Sequence, residues 1–400
     1  MRSVSLGLWM GLGSRHETAE LGGVCHFIEH MLFKGTRRRS ALQISQAVEG
    51  IGGYLNAFTS EEVTCYHARA AGERFGELLE VLLDMFLNSR FAPEDITKER
   101  DVIKEEMAMY LDEPQHQVQE LLNATLWPGQ PLGRSITGTN ATLDRMTRDH
   151  LTGYLRENYV ASAALIVAAG CVKHRELVRA VRPHAARFQT GPAAAFSPVV
   201  EDQREPRVRL LTKRTEQTQI ALGIRSCPRH DERRYALRLL STLLGENMSS
   251  RLFQSVREEH GLAYSIYSTT SGFHDTGDLV ISAGLDAGNL PKTLDLILRE
   301  LRRCLDKPPG AAELRRACDY LLGQIDLGLE STETQMNWLG EQLLGLGRQV
   351  PPETAKRHLQ AVTPAQIRSV ARDFFRNDRL NLALVSPIKD AKPLVRQFKL

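Results

Sequence analysis

The sequence predicts an α+β protein made of two homologous domains, each a mostly antiparallel sheet packed with helices. One reason is length, because 400 residues are too many for one ordinary core and suit two domains of about 150–200 residues each. The other is an internal repeat. A helix, a short turn, an aromatic strand, a second strand and a further helix occur twice, around Gly53–Ser60 and around Ala263–Thr270. The repeat indicates a duplicated domain.

The elements of the first half follow from the spacing of its apolar residues. An opening strand is indicated because Val4, Leu6 and Leu8 alternate with smaller residues, whereas Leu78 and Leu82 recur at helical spacing. Pro93 with acidic residues beside it is a helix-start signal. We therefore expect a strand from the first residues, helices near 21–34 and 40–51, a strand pair over 54–70, helices over 73–89 and 93–111, and a strand at 163–170.

The second half begins after a segment without clear periodicity. Residues 191–206 are rich in Pro, Ala and charge, which is typical of a linker. We therefore predict domains at 1–190 and 207–400. The elements expected in the second domain are a strand near 208–225, a strand at Asp278–Leu285 and a helix at Leu290–Leu301.

Composition excludes several classes of protein. The net charge is +3 with acidic and basic residues interspersed, which argues against a dedicated nucleic-acid surface. No stretch has the ~18 apolar residues of a membrane span. The N-terminus alternates like a strand and lacks a clear cleavage site, so a signal peptide is not expected. Six cysteines without a CxxC pair indicate reduced thiols in a cytosolic compartment.

The first chemical signal is the segment HFIEH, which lies on the predicted helix near 21–34. His26 and His30 are four residues apart, so on a helix they lie on one face and can bind one Zn²⁺. Glu29 lies toward the same side and can take a proton from a metal-bound water without being a ligand. This HxxEH arrangement is the inverse of HExxH. Two unrelated histidines would give the same short pattern by coincidence.

A catalytic zinc site needs a third protein ligand, and the helix over 93–111 offers carboxylates for it. Glu99 and Glu106 share a stripe with apolar residues, and a buried carboxylate is costly unless it is paired or binds a metal. The pattern alone leaves Glu105 open as an alternative, and it also fits a solvated charged helix.

The residues together resemble a known family. The segments HFIEHMLFKGT, LNAFTSEEVTCYHA and ERDVIKEEM look like those of the catalytic chains of the mitochondrial processing peptidase and pitrilysin family of zinc metallopeptidases, the inverzincins. The match is closest to the single-unit bacterial members. It continues through PLGRSITGT, SSRLFQSVREEHGLAYSIYS and VTPAQIRSVARDFF, so it covers nearly the whole chain.

The resemblance implies a set of metal ligands and a base. His26, His30 and Glu106 would hold one Zn²⁺ per catalytic chain, and Glu106 rather than Glu105 has the family's spacing from the second histidine. Glu29 would be the general base. Glu99 matches the family's additional acidic residue near the metal and would orient a ligand or the water.

The resemblance also implies how peptides and partners bind. Asn56, Ala57 and Phe58 match the edge strand that pairs with an extended substrate, a mode that reads backbone more than side chains. Arg257 and Tyr264 match the Arg and Tyr that complete the site from the second domain, as holder of a substrate carbonyl and donor to the developing oxyanion. A homodimer, or a heterodimer with a related chain, would then share its active sites.

The resulting hypothesis is a zinc-dependent endopeptidase acting on peptides or unfolded segments. The alternatives are a non-catalytic or substrate-presenting subunit of a heterodimeric peptidase, or a protein that binds metal without hydrolysis. Family members usually carry a further strand with an Asn-Gly turn upstream of Met1, and a truncated or misassigned start would account for its absence here. We expect a bacterial cytoplasmic protein, or a mitochondrial matrix one if an N-terminal segment is missing.

Overall fold

The computed structural model describes all 400 residues. The first half contains four strands and eight helices in regular order. They are β1 (Ser3–Met10), α1 (Val24–Leu32), α2 (Ala41–Glu49), β2 (Tyr54–Thr59), β3 (Thr64–Ala71), α3 (Phe75–Asn88), α4 (Pro93–Asp112), α5 (Pro114–Leu126), α6 (Asn140–Arg145), α7 (Arg148–Asn158), β4 (Ala164–Gly170) and α8 (His174–Ala185).

The second half adds five strands and seven α-helices, with a short π-helical turn at Phe253–Glu258. They are β5 (Arg207–Thr212), β6 (Thr218–Ser226), α9 (Arg234–Gly245), β7 (Ala263–Gly272), β8 (Gly277–Leu285), α10 (Leu290–Asp306), α11 (Ala311–Gly328), α12 (Thr332–Leu346), α13 (Pro352–Gln360), α14 (Pro364–Phe374), β9 (Leu380–Ser386) and α15 (Lys392–Gln397). None of the helices is long and apolar enough to cross a membrane.

The chain forms two compact units, each built from three segments. The first consists of Met1–Ala108, Arg134–Ser197 and Leu327–Gln349. The second consists of Met109–Gly133, Pro198–Asp326 and Val350–Leu400.

The sheet of the first unit has four antiparallel strands in the order β2-β3-β1-β4. The central strand β1 is almost wholly buried, as its run of alternating and continuous apolar residues predicts. Helices α1 and α3 pack against this sheet through buried apolar side chains such as Phe27, Ile28 and Leu82. β2 is left at one edge of the sheet, beside α1.

The sheet of the second unit has five strands in the order β5-β9-β6-β8-β7. Four of them, read as β7-β8-β6-β9, repeat the order of the first sheet, and β5 joins β9 in parallel at the edge. The predicted α+β class, with two related and mostly antiparallel sheets, is confirmed. The single strand predicted near 208–225 is wrong: β5 and β6 are separate strands, and residues 213–217 connect them without the Gly or Pro that would have signalled a turn.

Each unit also includes a helix from the other half of the sequence. Helix α5 packs on β6 and β9, where Leu122 and Leu126 lie over Gly223. The buried guanidinium of Arg225 donates to the carbonyl of Leu126 at the end of α5.

Helix α12 packs on β1 and β4 in the first unit. The indole N–H of Trp9 donates to the Met336 sulfur at 3.2 Å. At Gly340 a Cβ atom would lie only 2.3 Å from the Trp9 ring, so glycine is required for this close approach. The strands divide at the predicted linker, 191–206, but the compact units are completed by these two exchanged helices.

Candidate metal centre

Helix α1 begins in a way that fixes its position on the sheet. Gly23 precedes it with a φ of 92°, a left-handed conformation that favours glycine. The buried carboxylate of Glu17 accepts hydrogen bonds from the backbone N–H groups of Gly23 at 2.7 Å and Cys25 at 2.9 Å. Because the first N–H groups of a helix lack internal partners, this carboxylate satisfies donors that would otherwise be buried and unpaired.

The two histidines of α1 stand one turn apart. The ring centroids of His26 and His30 are 4.6 Å apart. His26 is buried, and the side chain of His30 is 20% exposed. The apolar positions of the helix, including Phe27 and Met31, face the core. The helix therefore presents both imidazoles on the side that the core does not use.

Helix α4 brings a carboxylate to these rings. Glu106 Oε2 lies 3.5 Å from His30 Nε2 and 3.7 Å from His26 Nε2. One possible ligand atom from each of the three residues lies within 4.8 Å of the others. Glu105, which pattern alone left open, is exposed and does not belong to this cluster.

The three donor atoms fit a zinc ion. Two ligands about 2.1 Å from a tetrahedral zinc lie about 3.4 Å apart, close to the separations of Glu106 Oε2 from the two histidine nitrogens. The distance to His26 is too long for a good hydrogen bond. His26 Nδ1 is buried and has no hydrogen-bond partner. His26 Nε2 and His30 Nε2 face Glu106 Oε2 at separations that a shared cation would satisfy.

Charges differ between the two histidines. Burial, reinforced by the neighbouring His30, lowers the pKa of His26 to about 4, so its imidazole is neutral at pH 7. Burial acts in the same direction on His30, but hydrogen bonds to Glu106 and Glu99 outweigh it and raise its pKa to about 9. Without a metal, a proton on His30 neutralises part of the carboxylate charge around it.

Glu99, also on α4, holds His30 from behind. Its Oε2 lies 3.1 Å from His30 Nδ1, and its Oε1 lies 2.6 Å from Lys34 Nζ. Burial would raise the pKa of Glu99, yet its hydrogen bonds to His30 and Lys34 prevail and lower it. An ionised carboxylate at Nδ1 keeps the proton on that nitrogen and leaves Nε2 free for a metal.

Glu29 lies next to the cluster and has a different partner. Its Oε2 accepts a hydrogen bond of 2.5 Å from the Thr59 hydroxyl. Burial raises the pKa of the Glu29 carboxyl above its usual range, and the Thr59 hydrogen bond opposes that shift. A carboxylate with a raised pKa, held beside the ligands but not among them, is suited to proton transfer.

The edge strand β2 carries the other residues predicted near the metal. Asn56, Ala57 and Phe58 lie in its middle, and Phe58 packs edge-on against Trp9 at 5.5 Å. The N–H of Ser60 bonds to the Val63 carbonyl at the turn. In an antiparallel pair every second residue bonds to the partner strand, so the backbone N–H and C=O of Ala57, three residues earlier, point away from β3. That N–H donates instead to Asn56 Oδ1 at 2.9 Å, and Asn56 Nδ2 donates to the Tyr54 hydroxyl at 2.7 Å.

Comparison with known proteins identifies the family. The family described as "Insulinase (Peptidase family M16)" matches residues 1–140, and "Peptidase M16 inactive domain" matches residues 145–321. An uncharacterized zinc protease of Streptomyces coelicolor is 39% identical over 98% of this chain and 86% of its own length. The chain belongs to peptidase family M16.

Other relatives extend the same result. An uncharacterized zinc protease of Mycobacterium tuberculosis is 37% identical over the whole of this chain and 92% of its own length. A Bacillus subtilis protein of the same description is 37% identical over 97% of this chain and 94% of its own length. The M16 membership of the chain thus rests on nearly full-length similarity.

Solved structures show the same fold. A protease from Helicobacter pylori superposes with a TM-score of 0.90 at 20% identity and covers 97% of this chain and 95% of its own. A protein described as a peptidase M16 inactive domain, from Pseudomonas fluorescens, has a TM-score of 0.88 at 19% identity over 98% and 95% of the two chains.

Arg257 and Tyr264 lie in the part that matches the M16 inactive domain. Arg257 lies in the π-helical turn, and its guanidinium carbon lies 5.5 Å from the centre of the Tyr264 ring and 4.9 Å from that of Phe253. Tyr264, near the start of the edge strand β7, is 74% exposed. The two predicted residues therefore contact each other on the surface of the second unit.

The sequence of this M16 chain did not indicate three contacts around the candidate metal centre. Thr59, Lys34 and Glu17 bond to Glu29, to Glu99 and to the start of α1, respectively. The position of Thr59 could have been inferred from the sequence, since strand alternation puts its side chain on the same face as that of Ala57. The contacts of Lys34 and Glu17 depend on tertiary packing that the sequence does not display.

Proposed function

We propose that the protein is a zinc-dependent endopeptidase that hydrolyses peptides or unfolded segments, with Glu29 as the general base. The observation that supports this proposal is a division of roles among close residues. The donor atoms of His26, His30 and Glu106 converge. Glu29 bonds instead to Thr59. Three ligands with a free carboxylate beside them are typical of a catalytic rather than a structural zinc site.

Zinc would be held by His26, His30 and Glu106, through two imidazole nitrogens and a carboxylate oxygen. When bound, it supplies an acidified water and polarises the carbonyl of the scissile bond. The relatives are named zinc proteases, which agrees with this choice of metal.

The chain's own residues would handle the proton. Glu29 takes a proton from the attacking water and delivers it to the departing amine. Its raised pKa helps the first transfer, because a more basic carboxylate takes the water proton more readily. Glu99 keeps the His30 ring in its orientation, and Lys34 keeps Glu99 ionised.

The substrate would bind as an additional strand on the free edge of β2. The outward-facing backbone of Ala57 supplies hydrogen bonds that do not depend on the substrate's side chains. Asn56 can bond to substrate once its amide leaves Ala57, and Phe58 lines the opposite face of the strand. An extended, unfolded segment fits such an edge, whereas a folded protein has no free strand to add.

We further propose that Arg257 and Tyr264 act on the zinc site of a partner chain. Tyr264 is exposed and the half-buried Arg257 lies against its ring, so both groups could reach a second molecule, as donor to the oxyanion and holder of a substrate carbonyl. The partner is a second copy or a related chain. The mass of the complex in solution and its zinc content per chain distinguish these: one zinc per chain supports a homodimer, and one zinc per pair supports a heterodimer.

Glu29→Gln tests the proposed function. The amide keeps the shape of the side chain and cannot accept the proton, so hydrolysis of an unfolded peptide should fall by about 10²–10⁴-fold. Zinc content should remain that of the wild type, because Glu29 is not a ligand. The measurements are peptide turnover and metal analysis on the same samples, with a chelator-treated wild type as the inactive reference.

Two results would contradict the proposal. Undiminished hydrolysis by Glu29→Gln would show that another group is the base. A wild-type protein that binds zinc and hydrolyses no peptide, alone or with its partner, would indicate a non-catalytic subunit or a metal-binding protein.

A further inference from the structure

The hydroxyl of Thr59 contacts the carboxylate of Glu29 more closely than any other polar group of the first unit does. The Thr59 Oγ1 to Glu29 Oε2 distance is 2.5 Å, in the range of strong hydrogen bonds between a hydroxyl and an ionised carboxylate. Glu29 Oε1 accepts no hydrogen bond from the protein. One oxygen of the carboxylate is therefore fixed, and the other is free.

The strand determines where this hydroxyl points. Thr59 is the last residue of β2 and pairs with Thr64 of β3. Side chains alternate along a strand, so Thr59 shares a face with Ala57, the face that packs against α1. A β-branched side chain in a strand has few χ1 rotamers, which limits the positions that the hydroxyl can take.

We propose that Thr59 is a positioning residue for the general base: it fixes Oε2 of Glu29 so that Oε1 faces the reacting water. This inference rests on the proposed function and extends it. A glutamate without such a bond samples several rotamers, and only some of them place the free oxygen within reach of a water at the metal centre. The hydrogen bond removes that freedom before substrate arrives.

The position of Thr59 in β2 adds a consequence. The same strand would receive the peptide on its outer edge, at Ala57, and would orient the base through Thr59. Any shift of β2 during peptide binding therefore moves the hydroxyl that aims Glu29.

The test compares Thr59→Val with Thr59→Ser. Valine keeps the β-branched shape and removes the hydroxyl, so kcat should fall by about 10- to 100-fold while KM changes by less than about 3-fold. Serine keeps the hydroxyl and should retain at least about a third of the wild-type kcat. Zinc content should equal the wild type in both, and Thr59→Ala serves if the valine variant does not fold.

A second measurement does not depend on activity. The unfolding free energies of metal-free wild type, Thr59→Val, Glu29→Ala and the double variant form a cycle. If the two side chains interact favourably, the sum of the losses in unfolding free energy of the two single variants should exceed the loss in the double variant. Additive losses would overturn the proposed contact.

The outcomes separate this inference from the proposed function. If the wild type is active, Glu29→Gln is inactive and Thr59→Val has wild-type kcat, the positioning role is wrong and the peptidase proposal stands. If Thr59→Ser is as damaged as Thr59→Val, the hydroxyl is not the cause and the role is again wrong. If Glu29→Gln remains active, the peptidase mechanism fails, whatever the cycle shows.

Discussion

The two units carry the same arrangement of four strands but use the helix after their first strand differently. Helix α9 follows β6 and fills its buried positions with leucines, among them Leu240 and Leu244. Helix α1 follows β1 and places His26 and His30 next to Glu106. The second unit thus has this strand arrangement with an apolar helix, and the first unit has the same arrangement with polar groups on the corresponding helix.

The added groups are unfavourable for folding. A buried polar group without a hydrogen-bond partner costs about 1–3 kcal/mol, and His26 Nδ1 is such a group. Carboxylates next to these rings add a desolvation cost that charged and hydrogen-bonding partners must offset. Because the second unit maintains the same strand order with leucines, this strand order does not require the polar cluster of the first unit.

The largest expected effect is on zinc affinity, and it should distinguish two neighbouring carboxylates, Glu106 and Glu105. Glu106→Ala removes a proposed ligand, so zinc affinity should fall by more than about 100-fold, since partners outside the ligand set alone contribute about 10–100-fold. Glu105→Ala is the matched control, because Glu105 is exposed on the same helix. Metal titration followed by peptide hydrolysis measures both. Equal zinc affinity in the two variants would remove Glu106 from the ligand set.

His26→Leu makes the first unit resemble the second. Zinc binding should be lost, while the unfolding free energy of the metal-free protein should rise by about 1–2 kcal/mol, because an unpartnered buried nitrogen is replaced by an apolar group. Denaturant unfolding of chelated samples measures the change.

The reciprocal variant, Leu240→His, serves as the control for His26→Leu. It places an imidazole in the apolar interior of α9 and should destabilise the protein by about 2–5 kcal/mol. A metal-free His26→Leu protein less stable than wild type would show that the imidazole contributes to folding, contrary to the comparison.

A pH-dependent effect concerns how the two helices begin. Burial raises the pKa of Glu17 at the start of α1 to about 7 from an ordinary value of 4.5. Between these two pH values the folded protein keeps a proton that the unfolded chain has released, so the free energy of unfolding falls as pH rises. Relative to Glu17→Gln, the free energy of unfolding of the wild type should fall by up to roughly 3 kcal/mol across this pH window and should not change further above it. Denaturant unfolding at several pH values measures the difference.

The beginning of α9 supplies the contrast. Asp231 precedes this helix and accepts a hydrogen bond from the Arg233 guanidinium, which lowers the pKa of Asp231 from its ordinary value of 3.8. The stability that Asp231 contributes is therefore present above that pH and lost below it. Asp231→Asn should show no pH-dependent difference from wild type between pH 4.5 and 7. A slope there as large as that of Glu17→Gln would mean that other groups cause the effect.

Much of the fold could be predicted because its signals are local. The apolar alternation of β1 and the helical spacing of α3 give the elements directly, and the repeated order of elements gives the duplication. The exchange of α5 and α12 could not be predicted, because an amphipathic helix shows that it packs and not on which sheet. The segment 208–225 was predicted as one strand and not two, because residues 213–217 are charged and polar without a turn residue.

The candidate site shows the same limit. His26, Glu29 and His30 are close in sequence, so their pattern was visible. Glu106 was ambiguous with Glu105 until the family spacing or the structure was considered. The hydrogen bond of Thr59 to Glu29 joins a strand to a helix through packing, which no local pattern records.

The side chain of Asn56 occupies an outward-facing backbone donor on the edge of β2. An open sheet edge is a template on which another copy can add a strand and begin an aggregate. Here the outward N–H of Ala57 is already bonded to Asn56, which is in turn bonded to Tyr54. An arriving strand must first displace this amide, so at that position it exchanges one hydrogen bond for another and gains little. A short segment therefore gains little binding free energy, and only a chain that forms hydrogen bonds along the whole of β2 binds stably.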